Sequence, residues 1–181
     1  MISELSVTKS VTVIGDGTGY NITNPSQHYM SVIRKFTGRH YQIKSPVNIV
    51  LFADLKSKSI LRVNASPTKT HETKLSQSLI KELDCQVFIY DKALDSKEIR
   101  ETLIKQGIKP AIPYRKNTKK PKPINQELYR QRNNAESIIS SLKRVYGNTI
   151  QNKKPVNQVR QALIKTLKNQ RFLGHKKPEV F

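Results

Sequence analysis

Tyr129, Arg132, Glu136 and Lys143 are separated by two, three and six residues. An α-helix turns about 100° per residue, so measured from Tyr129 they fall at roughly 0°, −60°, −20° and −40°. They form one narrow polar stripe. Ala135, Ile138, Ile139, Leu142, Val145 and Tyr146 cluster on a neighbouring face, so the stripe runs along the edge of a face that packs on a core. A carboxylate between two cations at a core boundary could hold a metal ion beside a phosphate. The same spacing also describes an ordinary surface helix with Arg132–Glu136 and Glu136–Lys143 as charge neighbours. The choice depends on which other acids can reach Glu136.

Acids are scarce, 13 in 181 residues, so their placement is informative. Asp16, Asp54 and Asp91 each directly follow an expected strand. Carboxylates at the ends of adjacent strands can converge on one point, with Glu136 approaching from the packed helix. Such a cluster repels itself and is stable chiefly around a cation. Oxygen-only ligation suits Mg²⁺ or Mn²⁺. Two such ions about 4 Å apart activate a water or hydroxyl and stabilise the leaving oxygen of a phosphodiester. Asp16 is preferred to Asp54 as the first member. Asp54 opens a polar, Lys-containing connection and is a natural turn residue. Asp16 stands between glycines that permit close approach by a bulky ligand.

The elements that must position these acids follow from periodicity. Residues 10–15 (SVTVIG) read as a strand with a sharp exit at Asp16-Gly17-Thr18-Gly19, and residues 20–38 as irregular. A short strand is expected over 40–44. Strands over 47–53 and 59–65 suggest a hairpin or meander. Thr70 is expected to cap a helix over 71–84, with Leu75, Leu79, Ile80 and Leu83 on its apolar face. Residues 85–90 (CQVFIY) are short and nearly all apolar, as in a strand buried on both faces. Asp95 and Glu98 have the shape of a capping box before a second helix that ends at Gly107. A strand over 108–114, a basic Pro-rich loop over 115–128 and the Tyr129 helix come next. Val156, Val159, Leu163 and Leu167 mark one amphipathic helix in a basic tail, with Pro155 suited to its first position. The expected fold is α/β, helices covering a mixed sheet. The expected division is a domain over 1–146 and a tail over 147–181, with residues 172–181 a mobile end.

Thirty-three Lys and Arg against 13 Asp and Glu leave a net charge of +20. That excess points to a polyanion, most simply nucleic acid. Lys92, beside Asp91, and the run Lys116, Lys119, Lys120 and Lys122 are candidate phosphate contacts. No apolar run approaches the roughly 20 residues of a membrane-spanning helix, and no signal peptide opens the chain. One Cys and four scattered His exclude zinc-finger spacing, and a lone Cys85 suits a reducing cytoplasm.

With these residues in place, the sequence resembles the catalytic core of DDE transposases of bacterial and archaeal insertion sequences. The Tyr, Arg, Glu, Lys spacing matches that family's signature at all four positions. DGTG at Asp16 resembles its first-aspartate motif, and DKALDS at Asp91 its second. PTKTH at Pro67–His71 resembles the stretch before its first helix, and IPYRKNTKKP its basic loop. Ala93 and Leu94 depart from the pattern, standing where the family usually has Gly and an aromatic. The resemblance covers most of residues 10–146. It implies a ribonuclease H-like fold, two Mg²⁺ (or Mn²⁺) ions, and cleavage at transposon ends followed by attack of the released 3′-hydroxyls on target DNA. Asp16, Asp91 and Glu136 would be the metal ligands. Arg132 and Lys143 would contact phosphates or terminal bases, and Tyr129 would stack beside the DNA end. The implied partners are double-stranded DNA and a second copy in a homodimer, in a prokaryotic nucleoid. Fewer than ten residues precede the first strand, which leaves no room for the family's usual N-terminal DNA-binding region. A binding-only remnant is therefore the alternative. A related ribonuclease H-like nuclease is the third reading, against which the four-residue signature argues.

Overall fold

The computed structural model describes residues 10–22, 31, 35, 47–67, 70–115, 117–118, 121 and 123–172. Strand β1 runs unbroken over Ser10–Ile22, so the exit expected at Asp16 is not a turn. The reason is pairing. Strand β2, Val47–Asp54, is apolar on both faces and takes β1 as an antiparallel partner from Val13↔Asp54 to Tyr20↔Val47. The glycines of β1 serve packing. A Cβ on Gly15 would lie 2.6 Å from the Tyr90 ring and 2.8 Å from that of Phe52.

Strand β3, Ile60–Ser66, completes an antiparallel meander. Helix α1, Glu72–Lys81, leads to β4, Cys85–Ile89, which lies parallel to β1 on its other side. Helix α2, Lys97–Lys105, leads to β5, Lys109–Ala111, parallel to β4. This strand is shorter than expected and carries Pro110, which cannot donate to a ladder and is tolerated at an edge. The order β3-β2-β1-β4-β5, three strands antiparallel and then two parallel, is the ribonuclease H-like mixed sheet. Helices α3, Gln126–Arg130, and α4, Asn133–Tyr146, follow. The two-residue strand β6, Thr149–Ile150, pairs with the end of β1, and α5, Pro155–Phe172, closes the described chain.

Helices cover both faces of the sheet, which is why β2 and β4 carry apolar residues on both faces. Val13, Phe52, Phe88 and Tyr90 pack under α1 and α2, with the Phe52 and Phe88 rings 4.8 Å apart edge to face. Ile14, Ile49, Leu51 and Ile89 pack under α4 and α5. Residue 146 is not a packing boundary, because Ile150 and Ala162 are fully buried in this second core. In α5, Leu163 and Leu167 pack against this core as expected, Val156 is exposed, and Ala162 and Thr166 are buried beside them.

Two caps differ from expectation. His71, not Thr70, is the N-cap of α1, while the Thr70 hydroxyl bonds that of Ser66 at 2.8 Å. Ser96, not Asp95, caps α2, its Oγ accepting from the Ile99 N–H. The strand expected over 40–44 lies outside the described residues, as does the end expected over 172–181 except for Phe172, which closes α5.

Candidate active site

Side chains alternate across a strand. Val13 and Ile14 face opposite cores, so Asp16 shares the α4 face with Ile14. The last β1–β4 partners are Ile14↔Ile89. Asp91 follows Ile89 by two residues, as Asp16 follows Ile14, and the register therefore sets the two aspartates side by side. Tertiary pairing, not a turn, brings them together. The Asp91 carboxylate accepts from the Ala93 N–H at 2.6 Å and caps a short 3-10 turn, Lys92–Leu94. Leu94 is buried there. The two departures from the family pattern thus leave this turn formed. Asp54 closes its own hairpin, accepting from the Ser57 N–H and hydroxyl at 2.6 and 2.7 Å, as a turn residue should.

Glu136 stands in the first turn of α4. The path into that helix is tight. The N–H groups of Gln131, Arg132, Asn134 and Ala135 donate to carbonyls three residues back. Such 3-10 geometry advances the chain about 20° more per residue than an α-helix. The helix expected to start at Tyr129 is thereby split, Tyr129 lying in α3 and Glu136 and Lys143 in α4. Arg132 donates to Glu136 Oε1 at 2.5 Å. Tyr129 packs against the α4/α5 core. Lys143 lies 5.9 Å from the centre of the buried Tyr20 ring, about 10 Å along the helix from Glu136. Burial lowers the Lys143 ammonium.

Asp16 reads out the common field. Burial pushes its carboxyl up; the Gly17 N–H and Arg132 oppose this, and the charges of Asp91 and Glu136 add to it. Asp91, Glu136 and Arg132 are therefore each within electrostatic reach of Asp16. Burial alone would lower the Arg132 guanidinium, but Glu136, with Tyr129 and Asp16 behind it, raises it. Lys92 is exposed beside Asp91. Lys119 and Lys120, with Lys116 and Lys122, lie outside the described residues.

Two features went unread in the sequence. Glu72, first residue of α1, joins the acids from the opposite face of the sheet. Burial pushes its carboxyl up, and Asp91 and Asp16 push it further. An acid in a helix's first turn is ordinarily a dipole partner, which hid it. The second feature is a brace under the Asp91 loop. Asp95 accepts from Arg100 at 2.8 Å and from the Arg115 N–H at 2.6 Å. Arg100 also reaches the Ile112 carbonyl and lies 3.8 Å from the Tyr114 ring centre.

The donor set fits a divalent cation in kind, being carboxylate oxygens in a repelling, half-buried group. In arrangement it is open. Among the described residues no three acids stand in a ready ligating geometry, and Arg132 engages Glu136.

No curated protein matches the chain. Among solved structures it is similar to a piggyBac transposase in a synaptic complex with hairpin DNA, at 15% identity and TM-score 0.46, over 95% of this chain and 50% of that one. It is also similar to a simian T-cell lymphotropic virus intasome in complex with a PP2A regulatory subunit, at 14% identity and TM-score 0.43, over 76% and 41%. The chain thus spans half or less of those chains. The family model described as "Transposase DDE domain" matches residues 8–167, and the chain belongs to that family.

Proposed function

We propose that this chain is a transposase catalytic domain that cleaves DNA at transposon ends and transfers the 3′-ends into target DNA. One observation carries the reading: the sheet register and α4 bring Asp16, Asp91 and Glu136 into one field beside Arg132. These three acids are the residues to hold divalent ions, two Mg²⁺ or Mn²⁺. Bound there, the ions would lower the pKa of an attacking water or hydroxyl and stabilise charge on the phosphodiester. The Asp16 and Asp91 carboxylates are held by the Gly17 and Ala93 N–H groups, which fixes the angle at which each faces the site.

Arg132 has two roles available. In the metal-free chain it neutralises Glu136. With DNA in the groove it is the nearest cation for the scissile phosphate, releasing Glu136 as it turns. Lys143, about 10 Å further along α4, suits a neighbouring phosphate of the same strand. Tyr129 stacks beside the DNA end, and Lys92, Lys119 and Lys120 add backbone contacts. Two ends must be held together for transfer, so the active form is a homodimer on duplex DNA.

The test is cleavage of a labelled transposon-end duplex in Mg²⁺ or Mn²⁺. Asp91→Asn should lower the rate at least about 100-fold, and strand transfer should give joined products. Wild-type rates in that variant overturn the assignment. The pairing of Glu136 with Arg132 favours one second reading, a protein that binds DNA without cutting it. Duplex binding unaffected by EDTA, with no cleavage at any metal concentration, would establish it.

A further inference from the structure

Glu72 enters the site through a gap in the sheet. Strand β4 ends at Ile89, so β1 has no β4 partner beyond Ile14. Gly17 faces the α1 side there and has no side chain. A Cβ at Gly17 would lie 2.4 Å from Glu72 Oε1 and 2.5 Å from its Cδ. The carboxylate therefore rests on the backbone of the residue after Asp16. Its other oxygen accepts from the Tyr90 hydroxyl at 3.4 Å, and Tyr90 is the residue before Asp91. One carboxylate thus touches the chain neighbours of both aspartates. The start of α1 is held against the Asp91 loop as well, the Thr73 hydroxyl donating to the Ala93 carbonyl at 3.5 Å.

A carboxylate serving only the α1 dipole gains most of its benefit at the surface and has no need of a glycine beneath it. Glu72 is half-buried and directed toward two like charges, a placement that costs stability until a cation is present. We propose that Glu72 is a fourth carboxylate of the cation site, binding a divalent ion or its hydration water with Asp16 and Asp91 from the opposite face of the sheet. This rests on the reading of Asp16, Asp91 and Glu136 as cation-binding residues.

Calorimetric titration of Mn²⁺ into the full chain, without DNA, tests it. Glu72→Gln should weaken Mn²⁺ binding about tenfold, and Asp91→Asn about 100-fold or more. Gly17→Ala should act in the same direction as Glu72→Gln, because the new methyl displaces a flexible carboxylate and the strand stays intact. Metal-free melting temperatures no lower than wild type would show that both variants fold; if Glu72→Gln does not fold, Gly17→Ala decides. Loss of binding in Asp91→Asn with wild-type affinity in the two others overturns the role of Glu72 and leaves the site standing. Wild-type affinity in Asp91→Asn, or no Mn²⁺ binding by the wild type, overturns the site itself.

Discussion

Asp16 shows how a residue can be placed against its own stability. Its carboxyl is raised chiefly by burial, so the folded chain keeps that proton to higher pH than the unfolded chain does. Wherever the folded state holds more protons, stability falls as pH rises. The metal-free protein should therefore lose stability as pH climbs from the ordinary carboxylate value of 3.8 through the raised one, with Glu72 adding in the same direction. Asp16→Asn should flatten that dependence and raise the neutral-pH melting temperature in EDTA by roughly 2–4 °C. Differential scanning calorimetry across the pH range checks this; a lower melting temperature in the variant would mean the carboxylate is needed for folding. Asp16, Asp91 and Glu136 stood out as candidates because acids are rare in so basic a chain. Glu72 was not, because its role depends on a gap that only strand pairing opens.

At the level of elements, β1 departs most from the local reading. Gly and Asp are turn residues by propensity, yet residues 15–19 run straight because β2 requires a partner along its length. The glycines answer to rings and a carboxylate on the far face. The loop after Asp91 depends equally on a neighbour. Arg100 and Asp95 form a nearly buried pair, their side chains 12% and 9% exposed. Removing one partner strands the other charge. Arg100→Ala should therefore cost about 3 kcal/mol and loosen the Asp91 turn, with cleavage falling in step. Urea unfolding measures the first effect. A loss under about 0.5 kcal/mol, typical of a surface pair, would show that the brace holds little. The sequence marked Asp95 only as a cap with Glu98, since the burial of the Asp95–Arg100 pair is set by Ile112–Arg115 arriving after β5.

Over the whole molecule, +20 on 181 residues makes association with a polyanion strongly salt-dependent. Contacts to some six phosphates would weaken duplex binding about 10³-fold between roughly 50 and 200 mM salt. Fluorescence titration of a duplex at several salt concentrations checks this, and a flat response would argue against backbone contact. Among the described residues no helix is long and apolar enough to cross a membrane. The sequence by itself determined the α/β class, the order of the main strands and helices, the basic character and which acids are candidates for the proposed site. Those follow from residue type, periodicity and spacing, which are local properties of the chain. Only the tertiary structure decided that β1 runs through its glycines, that the helix breaks between Arg130 and Asn133, that α5 joins the core and that Glu72 rests against the neighbours of both aspartates. Each of these is set by a surface contributed from elsewhere in the chain, and packing against it outweighs the local preference by more than the few tenths to one kcal/mol that propensity supplies.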